Sequence, residues 1–278
     1  MITLIEAKNY RSLKAISQPM SHFHVLIGAN ATGKSTFLDV VRFVSNVVNF
    51  GIDRAVQERV AHLDELTFGG EGGDIELAVE VALPARIAQK FNGRNYQTIR
   101  YEVRFGKTPE TLENAIHEER VLLLAPNAKP KPEDSAQPVL FPDYRPRDTT
   151  LLLERLTPKS YKRTISKKPN GNDNFYVETY EDSGKGWLPS FRLGIKKSAL
   201  GNLPDDETKF PASTEPVGGL FDRGTRKWHP PQGYRGGVPI AVFGVRSPST
   251  VGFSFASYSF YARAPGVAMF WQNSSRNY

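Results

Sequence analysis

Nine consecutive residues, Gly28-Ala29-Asn30-Ala31-Thr32-Gly33-Lys34-Ser35-Thr36, have the types and spacing to hold a chain of phosphates. The pattern is Gly, four residues, Gly-Lys and then a hydroxyl residue, which arises by chance in a chain of this length roughly 1% of the time. Glycines at the two fixed positions let successive N–H groups point into one concavity, at φ values and a closeness of approach that a Cβ obstructs. A helix starting at Lys34 adds its unpaired first-turn amides and the positive end of its dipole. In that arrangement Lys34 reaches the terminal phosphate oxygens. Ser35 offers its hydroxyl to Mg²⁺, a cation that prefers hard oxygen ligands. Asn30 braces the loop through its side-chain amide.

Such a loop needs a strand before it and a helix after it. Phe23-His24-Val25-Leu26-Ile27 is a short apolar run ending in glycine, which predicts a buried strand. Phe37, Val40, Val41, Val44, Val47 and Val48 recur at helical spacing, with Asp39, Arg42, Ser45 and Asn49 on the opposite side. Upstream, residues 2–17 predict a hairpin of two strands around Asn9-Tyr10-Arg11-Ser12. Downstream, residues 52–66 carry a weaker helical pattern, and Gly69-Gly70 with Gly72-Gly73 mark a turn.

The clearest strand follows. Ile75, Leu77, Val79, Val81 and Leu83 alternate with Asp74, Glu76, Ala78, Glu80 and Ala82, the pattern of a half-buried strand. Ile99, Tyr101, Val103 and Phe105 alternate with Arg100, Glu102 and Arg104, so two solvent faces of opposite charge predict an antiparallel pair. Further strands are expected around Arg120 to Leu124, at Leu151 to Leu156 and at Phe175 to Tyr180, and a polar helix over Ser198 to Phe210. Six prolines from Pro126 to Pro146 predict an exposed loop. Lys162, Arg163, Lys167 and Lys168 read as a solvated basic hairpin face turned at Asn170-Gly171-Asn172, with contact to nucleic acid as the alternative.

The 278 residues contain no cysteine, which excludes disulfides, Cys-ligated zinc, iron–sulfur clusters and thiol nucleophiles. The five histidines have no HxxxH or HExxH spacing. The chain opens on strand-like Ile2-Thr3-Leu4-Ile5-Glu6 without a basic start and apolar stretch, so a cytoplasmic location without membrane contact is expected. The net charge of +7 is localised. Of 36 Lys and Arg and 29 Asp and Glu, seven basic residues and no acidic ones fall between Arg223 and Tyr278, so the first 222 residues are neutral.

Asn9-Tyr10-Arg11-Ser12-Leu13, the strand ending Val25-Leu26-Ile27-Gly28 and a P-loop with Asn at its third position together resemble the ATPase heads of the ABC-type SMC/RecF-like group, in particular the stand-alone AAA-family ATPases related to them. The resemblance implies an α/β P-loop NTPase head with a mixed sheet and an antiparallel β-subdomain, covering about residues 1–214. It implies ATP and Mg²⁺ at Gly28, Asn30, Gly33, Lys34, Ser35 and Thr36, with Ser35 on the metal and Arg11 and Ser12 near the nucleotide. For Arg11 the reading as a solvated hairpin residue stays open. The group joins its heads as dimers and works on DNA or a partner effector protein.

The departures are as informative. An LSGG-type signature, a Walker B strand ending in Asp-Glu and a downstream switch His are absent, so no catalytic residue is assigned. Leu151-Leu152-Leu153-Glu154 is followed by Arg155, Val121 to Leu124 ends in Ala125, and Gly218-Gly219-Leu220-Phe221-Asp222 is too short. Binding is encoded where hydrolysis is not. The head is therefore expected to be incomplete at its C-terminal side, with residues 1–222 as its N-terminal part and 223–278 as a separate basic tail. Loss of the reading frame between about Thr214 and Arg223 explains both the missing motifs and the acid-free composition. The rival is a genuine tail whose Phe253, Phe255, Tyr258, Phe260, Tyr261, Phe270 and Trp271 stack on single-stranded bases. That rival describes a non-catalytic nucleotide- or nucleic-acid-binding protein. A small-molecule kinase fits less well, because strict alternation after the helix indicates antiparallel strands rather than βα units.

Overall fold

Long alternating segments between residues 75 and 124 form the middle of a large antiparallel sheet. A computed structural model describes residues 1–91, 94–126, 128, 150–153, 160–169, 171–179, 190–204, 206–214, 240–245 and 254–256. Strands β1 (Ile2–Tyr10) and β2 (Leu13–Pro19) make the expected hairpin, with Tyr10 opposite Leu13. Strands β3 (His24–Ala29), β4 (Ile75–Ala82), β5 (Thr98–Lys107), β6 (Asn114–Leu124), β7 (Tyr161–Lys167), β8 (Asp173–Phe175) and β9 (Ser190–Phe191) follow. All but β3 join β1 and β2 in an eight-stranded sheet of order β2-β1-β4-β5-β6-β7-β8-β9. Every pairing in it is antiparallel.

Strand β3 belongs to a second, mixed sheet. It pairs in parallel with β10 (Ile240–Val245), which in turn pairs antiparallel with β11 (Ser254–Ala256). Both partners come from the acid-free segment. Helix α1 (Lys34–Phe50) follows β3, and α2 (Ile52–Gln57) follows α1 across Gly51. Helix α1 lays Phe37, Val40, Phe43, Val44, Val47 and Val48 on the core, where the Phe43 ring lies 5.4 Å from Tyr10 and 5.2 Å from Phe105. Ser45, expected on the polar side, is buried as well, and Asn49 donates to its carbonyl at 2.9 Å.

The half-buried strands of the sequence reading are buried on both faces. Glu76, Arg100, Glu102 and Arg120 are all under 9% exposed. The predicted cross-strand pairing is present, Glu76 opposite Arg104 and Glu80 opposite Arg100, but inside the protein. Arg100 reaches Glu6 at 2.5 Å, Glu102 at 2.6 Å and Glu80 at 3.0 Å. Burial opposes its charge, yet Glu102, Glu6 and Glu80 outweigh that and hold its pKa above the ordinary value. Residues 150–153 cover this face instead of forming the expected strand. Leu151 N and Leu153 N donate to Glu76 and Glu102, and Arg100 donates to Leu151 O. Positions 154–156 lie outside the described residues, as does most of the proline-rich stretch.

Two further buried carboxylates replace elements the sequence suggested. Glu119 accepts from Ser198 Oγ, Ala199 N and Leu200 N at 2.6–3.0 Å. The expected helix over Ser198 to Phe210 is accordingly a short 3₁₀ turn, Leu200–Asn202, wrapped around that acid. Glu178 accepts from Ala212 N at 2.6 Å and Ser213 N at 3.0 Å, so the chain past Phe175 turns inward rather than continuing as a strand. Lys167 is also interior, on Asp173 and Gly194 O at 2.8 Å each, which breaks up the basic face expected there.

Removing the Arg100 guanidinium leaves three carboxylates without their shared cation. Arg100→Met is expected to lower the unfolding free energy by about 3–5 kcal/mol, read by urea denaturation. A loss under about 1 kcal/mol would show the cluster to be solvated.

Burial pushes the Glu178 carboxyl up to about 7 against the hydrogen bonds from Ser213 and Ala212. A carboxyl raised on folding stabilises fully below its unfolded pKa of about 4.3, and that contribution disappears as pH rises through about 7. Glu178→Gln should therefore flatten the fall of stability between pH 4.5 and 7.5, measured as Tm across that range.

Candidate phosphate-binding site

The loop between β3 and α1 is shaped by residues with left-handed backbone. Ala31 has φ 66° and Gly33 φ 93°. Gly33 caps α1 without a side-chain bond, and the helix has no acidic residue in its first turn. The first turn thus faces the loop with backbone amides and no negative side chain, the setting that attracts an anion. Phe37 N closes the first helical bond on Gly33 O at 2.8 Å.

The hairpin tip sits against this turn. A Cβ on Gly33 would stand 3.0 Å from Leu13 Cδ2 and 3.1 Å from Ser12 Oγ, and one on Gly28 would stand 2.9 Å from Thr32 Oγ1. Ser12 Oγ donates to Thr36 Oγ1 at 2.9 Å. Lys34 folds its ammonium across the loop, donating to Gly28 O at 2.8 Å and lying 3.5 Å from Thr32 Oγ1. Ser35 and Asn30 are exposed at the mouth. Among the residues singled out by spacing, Lys34 reaches back to Gly28 O, and Gly33 and Thr36 both meet the hairpin tip at Ser12. This donor set fits a phosphate group: backbone amides, one ammonium, two hydroxyls and no carboxylate.

Arg11 occupies the hairpin tip at φ 51°, with its N–H on Leu66 O at 2.6 Å. Its guanidinium stands 3.5 Å from the Asp39 carboxylate and is half exposed. Asn9, also left-handed at φ 58°, accepts from Phe68 N and donates to Gly72 O and Asp74 O, all within 3.1 Å. That ties the glycine-rich turn to the tip. Sequence reasoning placed Asp39 on an anonymous polar helix face. Asp39 in fact takes Tyr10 OH at 2.6 Å and a two-pronged Arg59, Nε at 2.9 Å and Nη2 at 2.8 Å. Burial raises its pKa, but the bonds from Arg59 and Tyr10 and the charges of Arg59 and Arg11 bring the net shift below the ordinary value. No spacing rule links positions 10, 39 and 59.

Strand β3 departs from expectation. Phe23, Val25 and Ile27 are 56%, 39% and 70% exposed, and Leu26 packs on the core. Helix α1 covers one face only, and among the described residues nothing comparable covers the other.

A strand running into a glycine loop and helix, beside a large antiparallel sheet, defines a P-loop NTPase domain. The AAA ATPase domain family matches residues 1–187, more than half of the chain, and the chain belongs to that family. An SMC ATPase studied for ATP-driven dimerization and DNA-stimulated activation aligns at 22% identity over 41% of this chain and 67% of its own, with a TM-score of 0.29. An Smc head bound to the C-winged helix domain of ScpA aligns at 20% identity over 41% of this chain and 34% of its own, also at 0.29. No curated protein matches the chain. No helix among the described residues is long and apolar enough to cross a membrane.

The seat of the hairpin on Gly33 can be weighed against a glycine that needs only its backbone freedom. Gly70 has φ 73° with nothing within 4 Å of a Cβ. Gly70→Ala should cost roughly 1–2 kcal/mol. Gly33→Ala should cost more in denaturant unfolding, because the hairpin tip must also move. Equal losses would show that the tip is not seated there.

Proposed function

We propose that this chain binds ATP with Mg²⁺ at the β3–α1 loop, as the N-terminal part of an ABC-type, SMC/RecF-like ATPase head. What supports the reading is the start of α1, which has no side-chain cap and no acidic residue in its first turn, beside Lys34, whose ammonium folds back to Gly28 O, with Ser35 exposed next to it. In it the backbone amides and Lys34 hold the phosphates, Ser35 ligates Mg²⁺, Thr36 lines the phosphate site and Arg11 lies at its rim. Phosphoryl transfer rests on positioning and electrostatic stabilisation, so hydrolysis also requires a carboxylate clamp on the metal and a group that orients water. Neither is encoded in a Walker B or signature motif of this sequence. ATP binding is therefore the activity proposed, and the hydrolysis expected of the family has no catalytic residue assigned to it. Pairing of two heads, with DNA or an effector protein as partner, is the use the resemblance suggests for bound nucleotide, and the cytoplasm is the proposed compartment.

Titration with a fluorescent ATP analogue in Mg²⁺ tests this. Lys34→Ala removes a charge-assisted contact and should weaken binding about 10- to 100-fold. Ser35→Ala should abolish the gain in affinity that Mg²⁺ provides over EDTA. Equal affinity of wild type and Lys34→Ala would rule out the loop as a working site.

A further inference from the structure

Two arginines meet one carboxylate at Asp39, and they are held very differently. Arg59 is 8% exposed, binds in two-pronged fashion, donates its Nη1 to Ala55 O and lies 5.0 Å over the Phe43 ring. It is fixed by three partners. Arg11 Nη1 stands 3.5 Å from Oδ2, beyond the 2.7–2.9 Å of a charge-assisted hydrogen bond, on a side chain 42% exposed. The cause lies in the oxygen itself. The Tyr10 hydroxyl at 2.6 Å and Arg59 Nε at 2.9 Å both donate to the same Oδ2 and occupy the oxygen that Arg11 faces. Arg59 alone neutralises Asp39, so Arg11 is a surplus positive charge at the hairpin tip.

That surplus sits at the mouth of the loop. Ser12, the next residue, bonds Thr36 and lies against Gly33. Asp39 is three residues beyond Thr36, on the same side of α1. Arg11 precedes Ser12 in the chain, so its half-exposed arm starts beside the loop and ends at Asp39, and its planar fork suits phosphate oxygens.

We propose that Asp39 and a bound nucleotide's phosphates compete for Arg11, with Asp39 as a resting counter-ion and the Tyr10 hydroxyl as the group that keeps its hold weak. The proposal rests on the loop's being a nucleotide site. Asp39 and Tyr10 act through Arg11 and are positioning residues. Removing the competitor and strengthening it must then shift affinity in opposite directions. Asp39→Asn tightens nucleotide, by about two- to fivefold, the range open to a half-exposed ion pair. Tyr10→Phe frees the position on Oδ2 that the hydroxyl held beside Arg59 Nε, lets Arg11 settle there and weakens nucleotide by about twofold. Both shifts disappear when Arg11 is Ala, whereas the loss of thermal stability in Asp39→Asn persists there.

The test is a double-mutant cycle on the whole chain, titrated with fluorescent ATP analogue and Mg²⁺, with Tm recorded for each variant and Lys34→Ala as reference. Opposite shifts that vanish in Arg11→Ala are the expected result. Asp39→Asn weakening nucleotide, Tyr10→Phe leaving it unchanged, or either shift surviving in Arg11→Ala would overturn the competition while Lys34→Ala still loses binding. Lys34→Ala binding like wild type would instead overturn the nucleotide site itself. Should Asp39→Asn fail to fold, the Tyr10→Phe pair of measurements decides, since that change is isosteric and leaves the Arg59 bonds in place.

Discussion

The tip of the first hairpin rests on the start of helix α1 at a residue with no side chain. Gly33 permits this twice over, by its φ of 93° and by leaving the space that Ser12 and Leu13 fill. Because β1 pairs with β2 on one edge and β4 on the other, the loop is keyed through the hairpin to the eight-stranded sheet. The connection has a backbone cost, since Asn9 and Arg11 both adopt left-handed conformations that side chains disfavour. Asn9 tolerates it best and repays it with three hydrogen bonds to the glycine-rich turn. Arg11 is held by its backbone bond to Leu66 O, with its guanidinium only 3.5 Å from the Asp39 carboxylate that Tyr10 and Arg59 bind.

The same sheet carries charge in its interior. Buried ion pairs contribute little net stability against apolar alternatives, but breaking one exposes a large desolvation penalty. Here that asymmetry acts on register. A one-residue slip of β5 against β4 would turn Arg100 and Arg104 onto the face packed by Ile75, Leu77 and Val79, and separate both from their acids. Residues 150–153 complete the arrangement from outside with backbone donors that no cross-strand pair supplies.

Elements set by local pattern were legible in the sequence: the hairpin, α1, β4, β5 and the glycine loop all fall where periodicity and turn chemistry put them. Burial of the charged strand faces was not, because alternation reports chemical difference between faces and cannot report what lies over the polar one. Ser198 to Phe210 was misread for a related reason. Its backbone is organised by Glu119, some 80 residues away, and a lone glutamate in a strand gives no hint of the amides it will accept. Phe23, Val25 and Ile27 failed in the opposite sense, since their run has the composition of a strand covered on both sides while the described residues cover one. At the candidate site the loop residues were readable from spacing. Tyr10, Asp39 and Arg59 were not, because three elements far apart in the chain bring them together.

The neighbour of β3 bears on what the loop can do. In open α/β sheets ligands bind beyond the carboxyl ends of parallel strands. Strand β10 runs parallel to β3 in a register that sets Gly244 opposite Gly28 and Val245 opposite Ala29, so the chain leaves β10 beside the phosphate loop. A strand that ends there is placed to bring a carboxylate to the loop. The segment from Arg223 to Tyr278 contains no Asp or Glu, so neither β10 nor anything in that segment can supply one. Strand β10 thus extends the sheet beside the loop without bringing an acidic side chain to it.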